Sequence, residues 1–173
     1  VLGDLDNLDN DSNGYVDDRQ GYDFASDDAD PSDSGYHGTH VAGTIAAIGN
    51  NQSGIIGVNR NVRIVPMKVS SDGTTISTSA VIEALEYAIA LKNSGVNIVA
   101  LNASYGGSGN STAERAAIQA AGDAGILFCA AAGNESSNND ADPVYPAGYR
   151  LPNMIVVAAT TQTDTLASFS NYG

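Results

Sequence analysis

Residues 37–44 have the sequence His-Gly-Thr-His-Val-Ala-Gly-Thr, and this segment is the most informative part of the chain. Its small and apolar residues predict a helix that begins at about His37. Gly38 and Gly43 are poor helix formers, so we expect neighbouring backbone to approach the helix closely where they lie. An unperturbed imidazole has a pKa of about 6.5 and can take and return a proton near neutral pH. The segment therefore predicts an acid–base side chain at the start of a tightly packed helix.

Strand and helix patterns alternate in the residues that follow. Four apolar runs predict strands, at residues 62–69, 96–101, 126–131 and 154–158. The segments between them predict two helices, one from about Ser77 or Thr78 to a stop at Gly95 and one from the Ser111 capping box to about Gly125. Because the strands are continuously apolar, we expect both faces of a parallel sheet to be covered. The prediction is a three-layer α/β fold, a mainly parallel sheet with helices on both faces, in a single domain over residues 1–173.

Charge and composition narrow the classes of partner. The 173 residues are 42% apolar and carry a formal net charge of −13. Eleven of the 20 acidic residues are aspartates in residues 1–33, where Arg19 is the only base, which argues against a nucleic-acid partner or an anionic membrane surface. No run of about 18 apolar residues is present, so no membrane span is predicted. The acidic segment either forms a solubilising surface or binds cations, of which calcium prefers carboxylate and carbonyl oxygens.

One stretch of the acidic segment matches a calcium-binding loop. Residues 9–17 place oxygen donors at positions 1, 3, 5 and 9 of the template, with a carbonyl at position 7 and Gly14 at the sharp turn. Position 12 is Gln20 rather than the usual bidentate Glu, so another carboxylate, such as that of Asp18, is expected to complete the shell. The candidate metal ligands are Asp9, Asp11, Asn13, Tyr15 and Asp17.

Two loops follow predicted strands, where parallel sheets bind ligands. The first, which contains Ser104–Gly107, can present a backbone edge to an extended peptide, although its glycines also fit a flexible turn. The second places Asn134 after the small residues 131–133, and an amide there either donates to a developing oxyanion or serves as a turn residue. Cys129, the only cysteine, lies in an apolar run, which predicts a buried and inert thiol.

Together with residues 37–44, these segments resemble in order the subtilisin-like serine proteases, and the resemblance covers nearly the whole chain. It implies that His37 is the general base of an Asp-His-Ser triad, that Asn134 is the oxyanion-hole donor, and that His40 is a buried structural residue. It also implies a polypeptide substrate, calcium as a cofactor, and secretion. The implied substrate-binding residues are Ser104, Tyr105, Gly106, Gly107, Ala131, Ala132 and Gly133. Residues 50–58 resemble a family calcium loop, which adds Asn51 to the implied metal ligands, and residues 166–173 resemble a later segment of the family fold.

The chain departs from the family pattern at two motifs. Neither Asp4 nor Asp6 lies at the end of a strand and is followed by Thr-Gly or Ser-Gly, and no Gly-Thr-Ser nucleophile motif is present. We therefore expect an incomplete catalytic domain that does not hydrolyse peptides alone and whose partners include the remainder of that domain. The alternatives are a non-catalytic subtilase-like domain that binds calcium or peptide, and a calcium-dependent adhesion or scaffold module.

Overall fold

The computed structural model describes residues 6–173, which form two compact units that divide between Ala84 and Leu85. The start of the chain that was compared with the aspartate motif, including Asp4, lies outside the described residues. Within residues 6–173, no helix has both the length and the apolar character needed to pass through a membrane. The single domain stays a prediction.

The first unit contains a short pair of parallel strands. Strand β1 (Tyr22–Asp23) pairs with β2 (Met67–Lys68), and Nζ of Lys68 lies 2.7 Å from the buried carboxylate of Asp23. Burial alone would raise the pKa of Asp23, but the Lys68 ammonium and nearby backbone amides outweigh it and lower that pKa. The predicted strand at 62–69 is much shorter than expected, because β1 offers only two residues for pairing.

Helix α1 (His37–Ala46) begins where the sequence predicts, but its surroundings differ from the expectation. None of its residues is buried, and a Cβ added at Gly43 would meet no neighbouring atom within 4 Å. The prediction of a tightly packed helix with close approach at its glycines is therefore wrong. The close approach is at Gly57, where a Cβ would lie 2.4 Å from the nitrogen of Ala47. The reason is that residues 57–59 donate backbone hydrogen bonds to carbonyl groups in the last turn of α1 and just after it.

Helix α2 (Thr78–Asn93) runs across the point at which the chain divides into its two units. Its buried positions include Val81 and Leu85, on the face that the apolar pattern predicts. Gly95 follows the helix with a φ of +103°, and its amide donates to the carbonyl of Lys92 at 3.1 Å. The predicted glycine stop is confirmed, since this left-handed conformation is the one that glycine favours at a helix end.

The second unit contains three parallel strands, in the spatial order β3, β4, β5. Their bounds are Ala100–Ala103, Leu127–Ala131 and Met154–Val157. In the register of the sheet, Leu101 lies opposite Phe128, and Phe128 lies opposite Met154. The parallel pairing confirms the predicted sheet, although β3 begins four residues later than the apolar run at 96–101 suggests.

Helix α3 (Thr112–Asp123) packs against β4 and buries Ile118. Its start is the predicted cap, because Oγ of Ser111 accepts a 3.2 Å hydrogen bond from the amide of Glu114. Gly125, with a φ of +76°, follows the helix as expected.

The strands of the second unit bury one face of the sheet. Leu101 and Phe128 are buried, whereas Asn102, Leu127 and Val157 are exposed. The continuous apolar runs therefore alternate between buried and exposed positions rather than being covered on both sides. The architecture is an incomplete three-layer α/β fold, as predicted, with one face of its parallel sheet open.

Candidate active site

An open pocket of about 310 Å³ lies at the carboxyl ends of the three strands of the second unit. Asn102 and Ser104 line it from β3, and residues 157–159 line it from β5. The end of β4 contributes Cys129 and the residues that follow as far as Asn134. The structure therefore brings together parts of both loops that the sequence places beyond strand ends. Cys129 is only partly buried, so the prediction of a buried thiol is wrong.

Small side chains form the part of the pocket that follows β4. Ala131, Ala132 and Gly133 all line it, as the sequence predicts. Gly133 has a φ of +113°, and a Cβ there would lie 2.4 Å from Nδ2 of Asn171 and 2.5 Å from Oε2 of Glu135. Both the backbone conformation and the available space therefore require glycine at this position.

Asn134 lines the pocket and offers a free side-chain amide. Its side chain is exposed and makes no hydrogen bond to any residue that the structure describes. Its backbone N–H donates to Oε2 of Glu135 at 2.9 Å, which fixes the main chain at this point. A held backbone with a free amide suits donation to an oxygen that becomes negative during acyl transfer.

The segment Ser104–Gly107 is only partly free to pair with a peptide. Gly107 donates to the carbonyl of Tyr145 at 2.9 Å and accepts from the Tyr145 amide at 2.7 Å, so both of its backbone groups are already used. The backbone groups of residues 104–106 have no hydrogen bond to the described part of the chain. The predicted peptide-binding edge is thus limited to Ser104, Tyr105 and Gly106.

The side chain of Tyr105 belongs to a buried cluster rather than to the pocket. Glu114, which is 6% exposed, accepts a 2.7 Å hydrogen bond from the hydroxyl of Tyr149, and that hydroxyl accepts one of 3.0 Å from the amide of Ser111. Burial raises the pKa of Tyr105, with the Glu114 charge as the next cause. Burial also raises the pKa of Glu114, and it raises the pKa of Tyr149 to about 12.

In the first unit, His37 is the first residue of α1 and its side chain is exposed. Asp33 holds this helix start, because its carboxylate accepts hydrogen bonds from the amide and hydroxyl of Thr39, both at 2.8 Å, and from the amide of Gly35 at 2.9 Å. These bonds, with a smaller effect of the His37 charge, lower the pKa of Asp33. Asp33 is not among the predicted site residues. The signal that could have found it is an aspartate shortly before a helix start.

His40 is exposed, so the expectation of a buried, hydrogen-bonded histidine is wrong. Its backbone donates to Tyr36 at 2.9 Å and its carbonyl accepts from the hydroxyl of Thr44 at 3.0 Å. Its ring makes no hydrogen bond to residues 6–173. The physical reason is that no residue of α1 is buried, so no core surrounds the ring.

Part of the predicted calcium loop converges. The carboxylate of Asp9 accepts from the amides of Asn13 and Gly14 at 3.1 and 2.9 Å. The side-chain amide of Asn13 donates to Asp11 at 3.3 Å and to Asp18 at 2.7 Å. Burial, followed by the negative charge of Asp18, raises the pKa of Asp11. Even so, no three His, Cys, Asp or Glu side chains within the described range are placed closely enough to hold a metal ion.

Three other predicted ligands are used differently. The carboxylate of Asp17 accepts from the amides of Asp6 and Asn7 at 2.8 and 3.0 Å, outside the loop, so the buried Asp18 occupies the place that the template gives to Asp17. The amide of Tyr15 donates to Asn13 at 2.8 Å. Asn51 lies in a separate loop, where its side chain accepts from the amide of Ser53 at 3.1 Å. The listed neighbours of these groups come from the first unit alone.

Comparisons with known proteins identify the family. The model of the subtilase family matches residues 4–173. The chain belongs to the subtilase family. This subtilase is 43% identical over 153 residues to an alkaline serine exoprotease A of Vibrio alginolyticus, a match that covers 88% of this chain and 26% of the relative. It is 38% identical over 157 residues to subtilisin E of Bacillus subtilis, covering 90% and 39% respectively.

Solved structures of subtilisin-like enzymes resemble the same subtilase. A cold-adapted subtilisin-like serine proteinase matches with a TM-score of 0.73 at 40% identity, covering 88% of this chain and 51% of the other. A psychrophilic protease designated S41 matches with a TM-score of 0.66 at 33% identity, covering 76% and 43%. The chain therefore spans between about a quarter and about a half of the proteins that it matches here.

Proposed function

We propose that this subtilase chain is part of a serine endopeptidase that hydrolyses polypeptides. The observation that carries the proposal is the pocket at the strand ends, where Ser104 and residues 131–134 lie together and Asn134 offers an unpaired side-chain amide. Membership of the subtilase family, with relatives named as serine proteases, supports the reaction class.

In this proposal, His37 is the general base. It takes the proton of a serine hydroxyl as that oxygen attacks the scissile carbonyl, and it later returns the proton to the leaving amine. The tetrahedral intermediate carries a negative oxygen, to which Nδ2 of Asn134 donates a hydrogen bond. The serine and the aspartate that orients the imidazole are assigned to other parts of the catalytic domain, since neither motif occurs in residues 1–173.

The substrate backbone pairs with the free edge of Ser104, Tyr105 and Gly106. An extended peptide gains main-chain hydrogen bonds from such an edge, while a neighbouring pocket selects one of its side chains. Ala131–Gly133 supply that pocket with small residues, which leave room for the substrate side chain. Gly107 acts indirectly, because its pairing with Tyr145 holds the downstream end of the edge.

The remainder of the catalytic domain is the proposed partner of the exposed apolar surface. In the second unit, Ile155, Val156 and Val157 of β5 are each about half exposed. Contiguous apolar surface of this kind usually contacts another segment or partner. Secretion is proposed for the whole protein on the ground of family membership.

Calcium is the proposed cofactor of the loop at residues 9–18. The donors are Asp9, Asp11, Asn13 and the carbonyl of Tyr15, with Asp18 in place of Asp17. The crowding of carboxylates that raises the pKa of Asp11 is what a divalent cation would relieve. Because the amide nitrogen of Asn13 faces Asp11 and Asp18, binding requires this amide to turn so that its oxygen faces the ion. A second calcium site is proposed at Asn51 from the family resemblance.

Active-site labelling and two substitutions in the full-length protein test the enzymatic proposal. We expect a serine-directed irreversible inhibitor to label the protein and to stop peptide hydrolysis. We expect Asn134→Ala to lower kcat by about 10²–10³-fold, the range known for an oxyanion-hole donor of subtilisin, and His37→Ala to lower it further. Normal turnover in the His37→Ala protein would overturn the assignment.

The alternative is a subtilase-like domain that binds calcium or peptide without catalysis, or a calcium-dependent scaffold. It predicts no labelling by the serine-directed inhibitor and no hydrolysis by the full-length protein. The unpaired amide of Asn134 beside a pocket of small residues favours the enzyme, since a scaffold gives that amide no role.

A further inference from the structure

Asn171 is fully buried and makes five hydrogen bonds to the loop that carries Asn134. Its Oδ1 accepts from the amides of Glu135 and Ser137 at 2.8 and 3.1 Å. Its Nδ2 donates to Oε2 of Glu135 at 2.7 Å and to Oδ1 of Asn139 at 3.1 Å. Its backbone amide donates to the carbonyl of Gly133 at 3.1 Å. One side chain with 0% exposure therefore holds the loop on both sides of Asn134.

Glu135 links this network directly to Asn134. The same Oε2 atom of Glu135 accepts from Nδ2 of Asn171 and, at 2.9 Å, from the backbone N–H of Asn134. Gly133, on the other side, leaves no space for a side chain because Asn171 and Glu135 occupy it. The position of the Asn134 backbone is thus fixed by groups that do not themselves line the pocket.

We infer that Asn171 is a positioning residue for Asn134, acting through Glu135 and the backbone of residues 133–137. The inference rests on the proposed function, in which the Asn134 amide stabilises the oxyanion. Asn134 has no side-chain partner of its own, so only its backbone can hold the amide in the productive place. A displacement of about 1 Å at a catalytic group can cost about a hundredfold in rate.

The chemistry of an asparagine suits this role better than that of its nearest isostere. Two amides must be accepted and two oxygens must receive a donor, and a primary amide supplies both functions. In Asn171→Asp the two donated bonds are lost and a second carboxylate faces Glu135. The loop then keeps its accepted bonds but loses the link through Oε2 of Glu135.

A double-mutant cycle in the full-length protein tests this inference. We expect Asn171→Asp to lower kcat by roughly ten- to a hundredfold with KM changed less than about threefold. In the Asn134→Ala background, the same substitution should change kcat less than about twofold, because the group that it positions is absent. An equal loss in both backgrounds, or a loss confined to KM, would overturn the inference.

A donor–acceptor exchange provides the rescue. In Glu135→Gln combined with Asn171→Asp, the new amide of residue 135 donates to the new carboxylate of residue 171, and the net charge is unchanged. We expect this pair to recover at least half of the logarithmic loss in kcat. No recovery in a folded double variant counts against the positioning role, and the pair also carries the cycle with Asn134→Ala if Asn171→Asp alone does not fold.

Asn153→Asp is the matched control. Asn153 lies in the same unit and donates to the carbonyls of Ile118 and Ile126 at 3.0 and 3.3 Å, away from the pocket. It should lower the midpoint of thermal unfolding without changing kcat at a temperature where the protein is folded. If Asn134→Ala itself leaves kcat unchanged, the proposed oxyanion role fails. If Asn134→Ala lowers kcat but the cycle is additive, only the role of Asn171 fails.

Discussion

The hydroxyl of Tyr149 donates a 2.7 Å hydrogen bond to Oε2 of Glu114, a carboxyl group that is almost fully buried near the start of α3. Burial raises the pKa of Glu114 above its ordinary value, while the bond from Tyr149 lowers it in part. The carboxyl is therefore accommodated at low pH and costs stability once it ionises inside the protein.

Glu114→Gln should flatten the pH dependence of stability. Below the ordinary glutamate pKa, the carboxyl is neutral in both the folded and unfolded states, so the substitution has little electrostatic effect. As the pH rises through the raised folded pKa, the wild-type protein loses stability that the glutamine variant keeps, since Gln still accepts from Tyr149. Thermal unfolding midpoints at about pH 4 and pH 8 measure the difference.

Glu86→Gln, on the exposed face of α2, serves as the control for that experiment. The gap between the Glu114→Gln and wild-type midpoints should widen with pH, whereas the control gap should stay constant. A Glu114→Gln gap that narrows as the pH rises would contradict the burial of an ionisable carboxyl.

Gly133→Ala should destabilise the protein and lower kcat together. Its φ of +113° disfavours any side chain, and a Cβ would meet Asn171 and Glu135 at 2.4 and 2.5 Å. We expect a loss of roughly 1–3 kcal/mol in the free energy of unfolding, measured by urea denaturation. Gly109→Ala is the matched control, because a Cβ at Gly109 meets nothing within 4 Å. Equal losses in the two variants would show that the space around Gly133 is not restricted.

Asp33→Ala should loosen the start of α1 and reduce turnover in the full-length protein. Loss of a side-chain cap typically costs about 1 kcal/mol, and the freed helix end displaces His37. Because hydrogen bonds from Thr39 and Gly35 lower the pKa of Asp33, its contribution is present above the ordinary aspartate pKa and is lost as the pH falls through the lowered value. The difference in unfolding midpoint from wild type should therefore shrink in acid, whereas Asp142→Ala should show no such trend.

Calcium should distinguish two adjacent aspartates. Asp18 faces Asn13 within the loop, whereas Asp17 faces the amides of Asp6 and Asn7. Calcium at about a hundred times its Kd should stabilise the protein by about 2.7 kcal/mol, seen as a higher unfolding midpoint that a chelator reverses. Asp18→Asn should remove most of this shift and Asp17→Asn should leave most of it. The reverse ranking would restore the template assignment of Asp17.

Features with local causes could be predicted from the sequence. The start of α3 at the Ser111 cap and the glycines after α2 and α3 depend on residues within a turn of each other. The small residues 131–133 beside Asn134 were found because they follow a strand end directly. The parallel order of the strands followed from their alternation with helices.

Features that depend on distant partners could not be predicted. The run at 62–69 is apolar throughout, but its pairing is limited by the two residues of β1. Gly107 resembles a free edge until its pairing with Tyr145 is seen. Asn171 has no local signal, because its partners lie more than thirty residues earlier in the chain. The choice between Asp17 and Asp18 depends on which way a single turn directs two neighbouring side chains.

The pairing of Gly107 with Tyr145 has a thermodynamic consequence for ligand binding. A glycine-rich strand edge that is free at both ends must lose backbone entropy when a peptide joins it, at about 1–2 kcal/mol for each residue that becomes ordered. Here β3 holds the upstream end of the edge and Tyr145 holds the downstream end, so that cost is already met when the chain folds. Peptide association with Ser104, Tyr105 and Gly106 should consequently be limited by the order lost in the peptide rather than in the protein.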